Sequence, residues 1–326
     1  MNASELFVKA LENEGVKYIF GVPGEENIDF LEAVRQSSIE FILTRHEQGA
    51  GFMADVYGRL TGKAGVCLAT IGPGATNLIT PVADSFLDRS PIVAITGQAD
   101  TQRMHKESHQ YIDIVSMFRP ITKWNTSISH PNMVTEAVRK AFKLAEAEKP
   151  GSTHLEFPED VAGEECRNPV FFDVKKIRRS APDYKAVNQA LKLIREAKKP
   201  LVLAGNGAIR KRATKQLRIF LEKTRLPVCN TFMGKGAAGV GYDYNLYTIG
   251  LQSRDHVTCA IEESDLIISI GYDLVEYAPQ HWNTERDKPI VHIDFQPAEV
   301  DYWYHPEVEV IGDIASTLWA LNERID

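Results

Sequence analysis

No stretch of this 326-residue chain approaches the roughly 18 uninterrupted apolar residues that a helical membrane span needs, so no such span is expected within it. Cysteine is scarce. The four present, Cys67, Cys166, Cys229 and Cys259, have neither disulfide-framework nor metal-ligand spacing, which excludes a stapled secreted scaffold and fits a reducing cytoplasm. Positive charge is short as well: 37 Lys and Arg face 44 Asp and Glu, and the net charge of -7 argues against a nucleic-acid partner. Lys175-Lys176-Ile177-Arg178-Arg179 is too short a basic cluster to change that and reads as a solvated linker. From Met1 to Gly15, Leu6, Phe7, Ala10 and Leu11 recur at helical spacing, without the features of a signal peptide, so a cytoplasmic location is expected.

What is present is the composition of an ordinary globular protein, 44% hydrophobic and 25% charged, at a length comfortable for two domains. Strand-like runs alternate with helical patterns as far as Glu165, the signature of a parallel sheet covered by helices. Asn168 to Pro182 reads as a connection, and a second alternating series follows. Pro200 to Ala204, Leu226 to Asn230, Ser264 to Gly271 and Pro289 to Asp294 read as strands; Lys211 to Thr224 and Ile314 to Arg324 read as helices. The fold class is therefore α/β: two consecutive parallel-sheet domains flanked by helices, at residues 1–167 and 183–326, joined by residues 168–182. Gly205-Asn206-Gly207 invites a dinucleotide-binding reading, but the third glycine of that fingerprint is absent and a structural role is expected.

Two segments carry chemistry. Glu47 follows the apolar run Ile39 to Leu43, which reads as a short buried strand, and opens a helical stretch rich in small residues, Gly49, Ala50, Gly51 and Ala54. Small residues let a helix approach another backbone closely. A carboxyl group held in such a poorly hydrated crevice resists ionisation and can share a proton with a ligand nitrogen. The plainer alternative is that Glu47 caps its helix or pairs with Arg45 or Arg59. The second segment runs from a buried strand, Ala64 to Ile71, through the tight turn Gly72-Pro73-Gly74 to Thr76 or Asn77, either of which is expected to cap the next helix. Glycine on both sides of proline permits a backbone that touches a flat ring.

In combination these segments resemble the pyrimidine-binding half of thiamine diphosphate enzymes, and over all 326 residues the chain resembles the acetolactate synthase family. Tyr18-Ile19-Phe20-Gly21-Val22-Pro23-Gly24-Glu25-Glu26-Asn27 is similar to the family's first strand and turn, whose backbone at Pro23 and Gly24 would lie beside the pyrimidine. Glu47 falls on the activating glutamate, and Gly72-Pro73-Gly74-Ala75-Thr76-Asn77 on the loop beside it. Ser108-His109-Gln110 resembles the polar pair bordering the reacting carbon: Gln110 would orient the substrate, and His109, of a residue type that exchanges protons near neutral pH, is a candidate for protonation steps. The resemblance implies catalytic roles for Glu47, Gln110 and His109, and cofactor contacts from Pro23, Gly24, Glu47, Gly72, Pro73, Asn77 and Gln110. No metal ligand is expected among these residues.

The resemblance implies thiamine diphosphate as cofactor and pyruvate as substrate, two molecules of which would condense to 2-acetolactate with loss of CO2. Glu159 stands where biosynthetic, flavin-containing members carry lysine. Gly271-Tyr272-Asp273-Leu274-Val275-Glu276-Tyr277, with His281-Trp282-Asn283, resembles the flavin-independent catabolic members, so FAD is not expected. In the family Mg2+ and the diphosphate are held by a third, C-terminal domain with a Gly-Asp-Gly motif. That domain is expected to be absent here, which makes the chain alone inactive and implies a homo-oligomer, dimer or tetramer, or a separate chain carrying the diphosphate domain. The alternatives are another thiamine-dependent carboligase, a 2-oxo acid decarboxylase, or a non-catalytic regulatory module.

Overall fold

Continuous apolar runs, rather than alternating ones, belong to strands buried on both faces, and they build two parallel sheets here. The computed structural model describes residues 1–325 except 168, 176, 178 and 251–254. It divides into two compact units, Met1–Ile177 and Arg178–Asp326. Asn168, Lys176 and Arg178, part of the expected connection and its basic cluster, lie outside the described residues.

In the first unit the strands are β1 (Tyr18–Gly21), β2 (Glu40–Leu43), β3 (Gly65–Ala69), β4 (Ile92–Gln98), β5 (Trp124–Ser127) and β6 (Ser152–Pro158). They pair in parallel in the order β2-β1-β3-β4-β6-β5. Every residue of β3, β4 and β6 is buried. Helix α1 (Ala3–Glu14) starts at a capping box, where Asn2 and Glu5 satisfy each other's backbone N–H groups, and stops at Gly15, whose φ of 83° ends the helix in the left-handed region. Its Leu6, Phe7 and Leu11 enter one face of the core, with Phe7 edge-on to Phe30 of α2 (Ile28–Arg35) at 5.3 Å. On the other face lie α3 (Glu47–Thr61), α4 (Pro73–Asn77) and α5 (Ile79–Leu87), packed through Ala50, Ala54, Ala75 and Val82.

The second unit repeats the plan with β7 (Pro200–Ala204), β8 (Val228–Asn230), β9 (Asn245–Thr248), β10 (Leu266–Ile270), β11 (Ile290–Asp294) and β12 (Val308–Ile311). All pairings are parallel, in the order β12-β11-β10-β7-β8-β9. Strands β5, β9 and β12 were not foreseen from the sequence, and the reason is physical: each lies at a sheet edge and is only partly buried, so it carries no apolar run. The buried strand expected from Ile39 to Leu43 is corrected for the same reason: β2 is also an edge strand, and none of its residues is buried. In each sheet the first strand lies in the interior and the chain departs on both sides of it. That creates a switch point between β1 and β3 and another between β7 and β10, where open parallel sheets hold ligands beyond their carboxyl ends. No helix among the described residues is long and apolar enough to cross a membrane.

Candidate active site

Glu47 is the first residue of α3, three residues past Thr44, whose N–H pins the backbone to the sheet by donating to the Gly21 carbonyl at 2.9 Å. His46 holds an extended conformation and its Nδ1 accepts from the Gln48 N–H at 3.1 Å, so a histidine, not Glu47, caps the helix. A carboxylate in the first turn is favoured by the helix dipole. The small residues do what their size suggests: a β-carbon on Gly51 would stand 2.4 Å from Pro81 Cγ, and one on Gly58 2.4 Å from the Pro91 carbonyl. Glu47 itself is half-buried, at the rim rather than the depth of the expected crevice. Nor does it pair with Arg59, which instead bonds Asp55 at 2.7 Å, Asp88 at 2.8 Å and Asp84 at 3.1 Å. Burial works against the Arg59 charge, but Asp55 and Asp88 hold it more firmly ionised than usual.

The Gly-Pro-Gly turn meets Glu47 from the other side of the switch point. Gly72 occupies the N-cap position of α4 with φ 53° and ψ -117°, and Pro73 is the first helical residue. The cap expected at Thr76 or Asn77 is thereby corrected: proline, its φ preset and its missing N–H unneeded, starts the helix a turn earlier. Asn77, freed from capping, donates its Nδ2 to Glu47 Oε2 at 2.9 Å. A β-carbon on Gly74 would lie 3.3 Å from Glu47 Oε1 and 2.9 Å from Thr70 Cγ2, and one on Gly24 would collide with the Thr70 side chain at 2.3 Å. Thr70 Oγ1 in turn donates to Glu26 Oε2 at 2.6 Å. Gly24, Thr70, Gly74, Asn77 and Glu47 thus form one continuous surface, with Pro23 exposed beside Gly24. Thr70 and Glu26 were not singled out from sequence; a threonine directly after a buried strand, facing two glutamates in the preceding turn, was the available signal.

Gln110 reaches the same place through its backbone. A β-carbon on Gly72 would stand 2.5 Å from the Gln110 carbonyl oxygen, and Gln110 itself has a φ of 55°. The side chains of Gln110 and His109 are both exposed, and the hydrogen bonds that order the site run through Asn77 and Thr70 instead. Gly72→Ala combines a left-handed φ with that close approach. It should cost on the order of 1–3 kcal/mol and displace the Gln110 turn. Urea unfolding together with hydrogen exchange at residues 108–111 checks this; unchanged stability and protection would contradict it.

A carboxylate at a switch point, fixed by an amide and lined by glycines that a β-carbon would block, suits a flat nitrogen heterocycle. Among the described residues no group of three or more His, Cys, Asp or Glu is arranged to hold a metal ion. Comparison with protein families places residues 1–117 in the "Thiamine pyrophosphate enzyme, N-terminal TPP binding domain" and residues 187–321 in the "Thiamine pyrophosphate enzyme, central domain". The chain belongs to the thiamine pyrophosphate enzyme family.

Within that family its curated relatives include acetolactate synthases. The "Probable acetolactate synthase large subunit" of Methanocaldococcus jannaschii is 37% identical, the alignment covering 98% of this chain and 55% of the relative. The acetolactate synthase of Bacillus subtilis is 36% identical over 97% of this chain and 55% of its own length. The large subunit from Corynebacterium glutamicum is 36% identical over 99% and 52%. The chain spans about half the length of the curated relatives it matches.

Proposed function

We propose that the first unit holds the aminopyrimidine of thiamine diphosphate, with Glu47 as the carboxyl group that shares a proton with the ring, and that the assembled enzyme condenses two pyruvates to 2-acetolactate and CO2. The observation that carries this reading is the placement of Glu47 across the β1/β3 switch point from Gly24 and Gly74, with Asn77 on Oε2. Thiamine diphosphate, when bound, supplies the nucleophilic carbon. Asn77 orients the carboxyl group and leaves Oε1 to the ligand. Gly24 and Gly74, lacking β-carbons, let their turns close onto the Thr70 side chain and, at Gly74, onto Glu47, which brings the carboxyl group beside the two turns that Pro23 and Pro73 stiffen. Gln110, on the turn pressed against Gly72, is assigned to substrate orientation, and His109 beside it to proton exchange. The diphosphate and Mg2+ are assigned to a part of the enzyme other than these two units.

The test supplies the chain with thiamine diphosphate, Mg2+, pyruvate and a polypeptide carrying the remaining region of the Bacillus subtilis relative. Acetolactate, measured as acetoin after acid decarboxylation, supports the reading. Acetaldehyde instead would reassign the chain to 2-oxo acid decarboxylation, and no pyruvate consumption would make it a non-catalytic module.

We further assign no flavin to the second unit. The space after β10 is filled by the chain's own aromatics: buried Tyr272 accepts from Trp282 Nε1 at 3.2 Å and packs on Tyr304 at 5.6 Å. The purified protein should therefore show no visible flavin absorption, and a stoichiometric flavin band released by denaturation would reject the assignment.

Self-association is expected from α3. Phe52, Met53, Val56 and Leu60 are 38%, 43%, 50% and 82% exposed and recur at helical spacing on one face, a patch of the kind that marks an interface. Light scattering should give at least a dimer, and calorimetry only weak binding of thiamine diphosphate by this chain alone. A strict monomer with tight stoichiometric binding would contradict both.

A further inference from the structure

The second switch point, between β7 and β10, is occupied by the protein itself. Gly205 and Gly207, which follow β7, look like an opening for a phosphate, yet both are consumed by packing: a β-carbon on Gly205 would lie 2.5 Å from the Gly271 carbonyl oxygen, and one on Gly207 2.7 Å from Gly271 Cα. What the crevice holds is the carboxylate of Glu276. Its Oε1 accepts from the backbone N–H of Asn206 at 3.0 Å and of Asp273 at 3.1 Å, and its Oε2 accepts from the Thr231 hydroxyl. Those donors come from the loops after β7, β10 and β8, which are neighbours in the sheet. Two backbone N–H groups and a hydroxyl converging from three strand ends form the donor set that a phosphate group takes at such a position.

We propose that this crevice is a preformed anion site that the chain fills with its own Glu276 carboxylate, and that Glu276 is the residue that excludes phosphate esters, dinucleotides included, from the second unit. A side chain tethered four residues from Tyr272 occupies the donors without the entropic cost of capturing a free ligand, and a second anion brought beside it would meet its charge. Burial pushes Glu276 up to about 7 against the hydrogen bonds from Thr231, Asn206 and Asp273, with the Asp273 charge adding to the rise. Arg210, which donates to the Asn206 carbonyl at 3.4 Å, is the cation on the adjoining loop. Exclusion is therefore fully developed only above neutral pH.

The experiment compares the melting of the whole chain and its Glu276→Ala variant at about pH 8, where the carboxylate is ionised, in rising concentrations of inorganic phosphate, ADP and formate. Alanine removes the plug and leaves the three donors in place. The variant should be stabilised saturably by all three anions, by several degrees, because a ligand bound only to the folded state raises its melting temperature. The wild type and the isosteric Glu276→Gln variant, whose side chain still fills the site, should not respond. A variant that folds only when phosphate or formate is supplied supports the proposal equally. A folded Glu276→Ala protein that responds no more than wild type would overturn it, and so would an unfolded one that no anion rescues while Glu276→Gln folds.

Discussion

Glu47→Gln in the assembled enzyme should reduce turnover by about 10²–10⁴-fold, the range lost when a positioned acid–base group is removed, while the fold and the oligomeric state are retained. The expectation follows from where the side chain is held. Glutamine can keep the contact with Asn77 Nδ2 through its carbonyl oxygen, and it fits the space left by Gly74, so neither packing nor the α3 N-terminus is disturbed. What it cannot do is exchange a proton with the ring. The check is steady-state turnover at saturating thiamine diphosphate, with circular dichroism as control, and turnover within a few fold of wild type would remove Glu47 from its assigned role.

The largest effect on stability is expected at Arg59. Its guanidinium joins Asp55 on its own helix to Asp84 and Asp88, at and just beyond the end of α5, and the Asp55 side chain is only 3% exposed. Pairs with the more exposed Asp84 and Asp88 would contribute little by themselves. Asp55 decides the outcome: Arg59→Met keeps the apolar stem but leaves a buried carboxylate without its partner, at a cost of about 3–5 kcal/mol. Urea unfolding of the variant measures it. Converting Asp55 to Asn in the same chain should recover much of the loss, and a loss below about 1 kcal/mol would show that the carboxylate is better satisfied than this network implies.

The reach of the sequence can be judged residue by residue. The central strands were legible because burial on both faces leaves an uninterrupted apolar run, as from Ile92 to Ile95, and α1 because its apolar residues recur at helical spacing. The edge strands β5, β9 and β12 were not, since a half-exposed strand of four residues leaves no such trace. In the site, Glu47 and the Gly-Pro-Gly turn stood out by composition and by resemblance. The Asn77–Glu47 hydrogen bond did not, because it joins residues thirty apart whose proximity comes from the parallel order β2-β1-β3. Arg59 shows the same limit: its Asp55 partner is one helical turn away and readable, whereas Asp84 and Asp88 come from the far end of α5. In the sequence Glu276 is only one residue of a run that resembles flavin-independent members, and the convergence of three loops shows that it occupies donors of its own.

The most direct test of Glu47 as the group that meets the pyrimidine is the exchange of the thiazolium C2 proton with deuterium in enzyme-bound thiamine diphosphate, read by acid quench and proton NMR. Wild-type enzyme should exchange faster than free cofactor by several orders of magnitude, and Glu47→Gln should lose about 10²-fold or more of that acceleration. Equal exchange in the two proteins, at equal cofactor occupancy, would contradict the placement of the pyrimidine against Glu47.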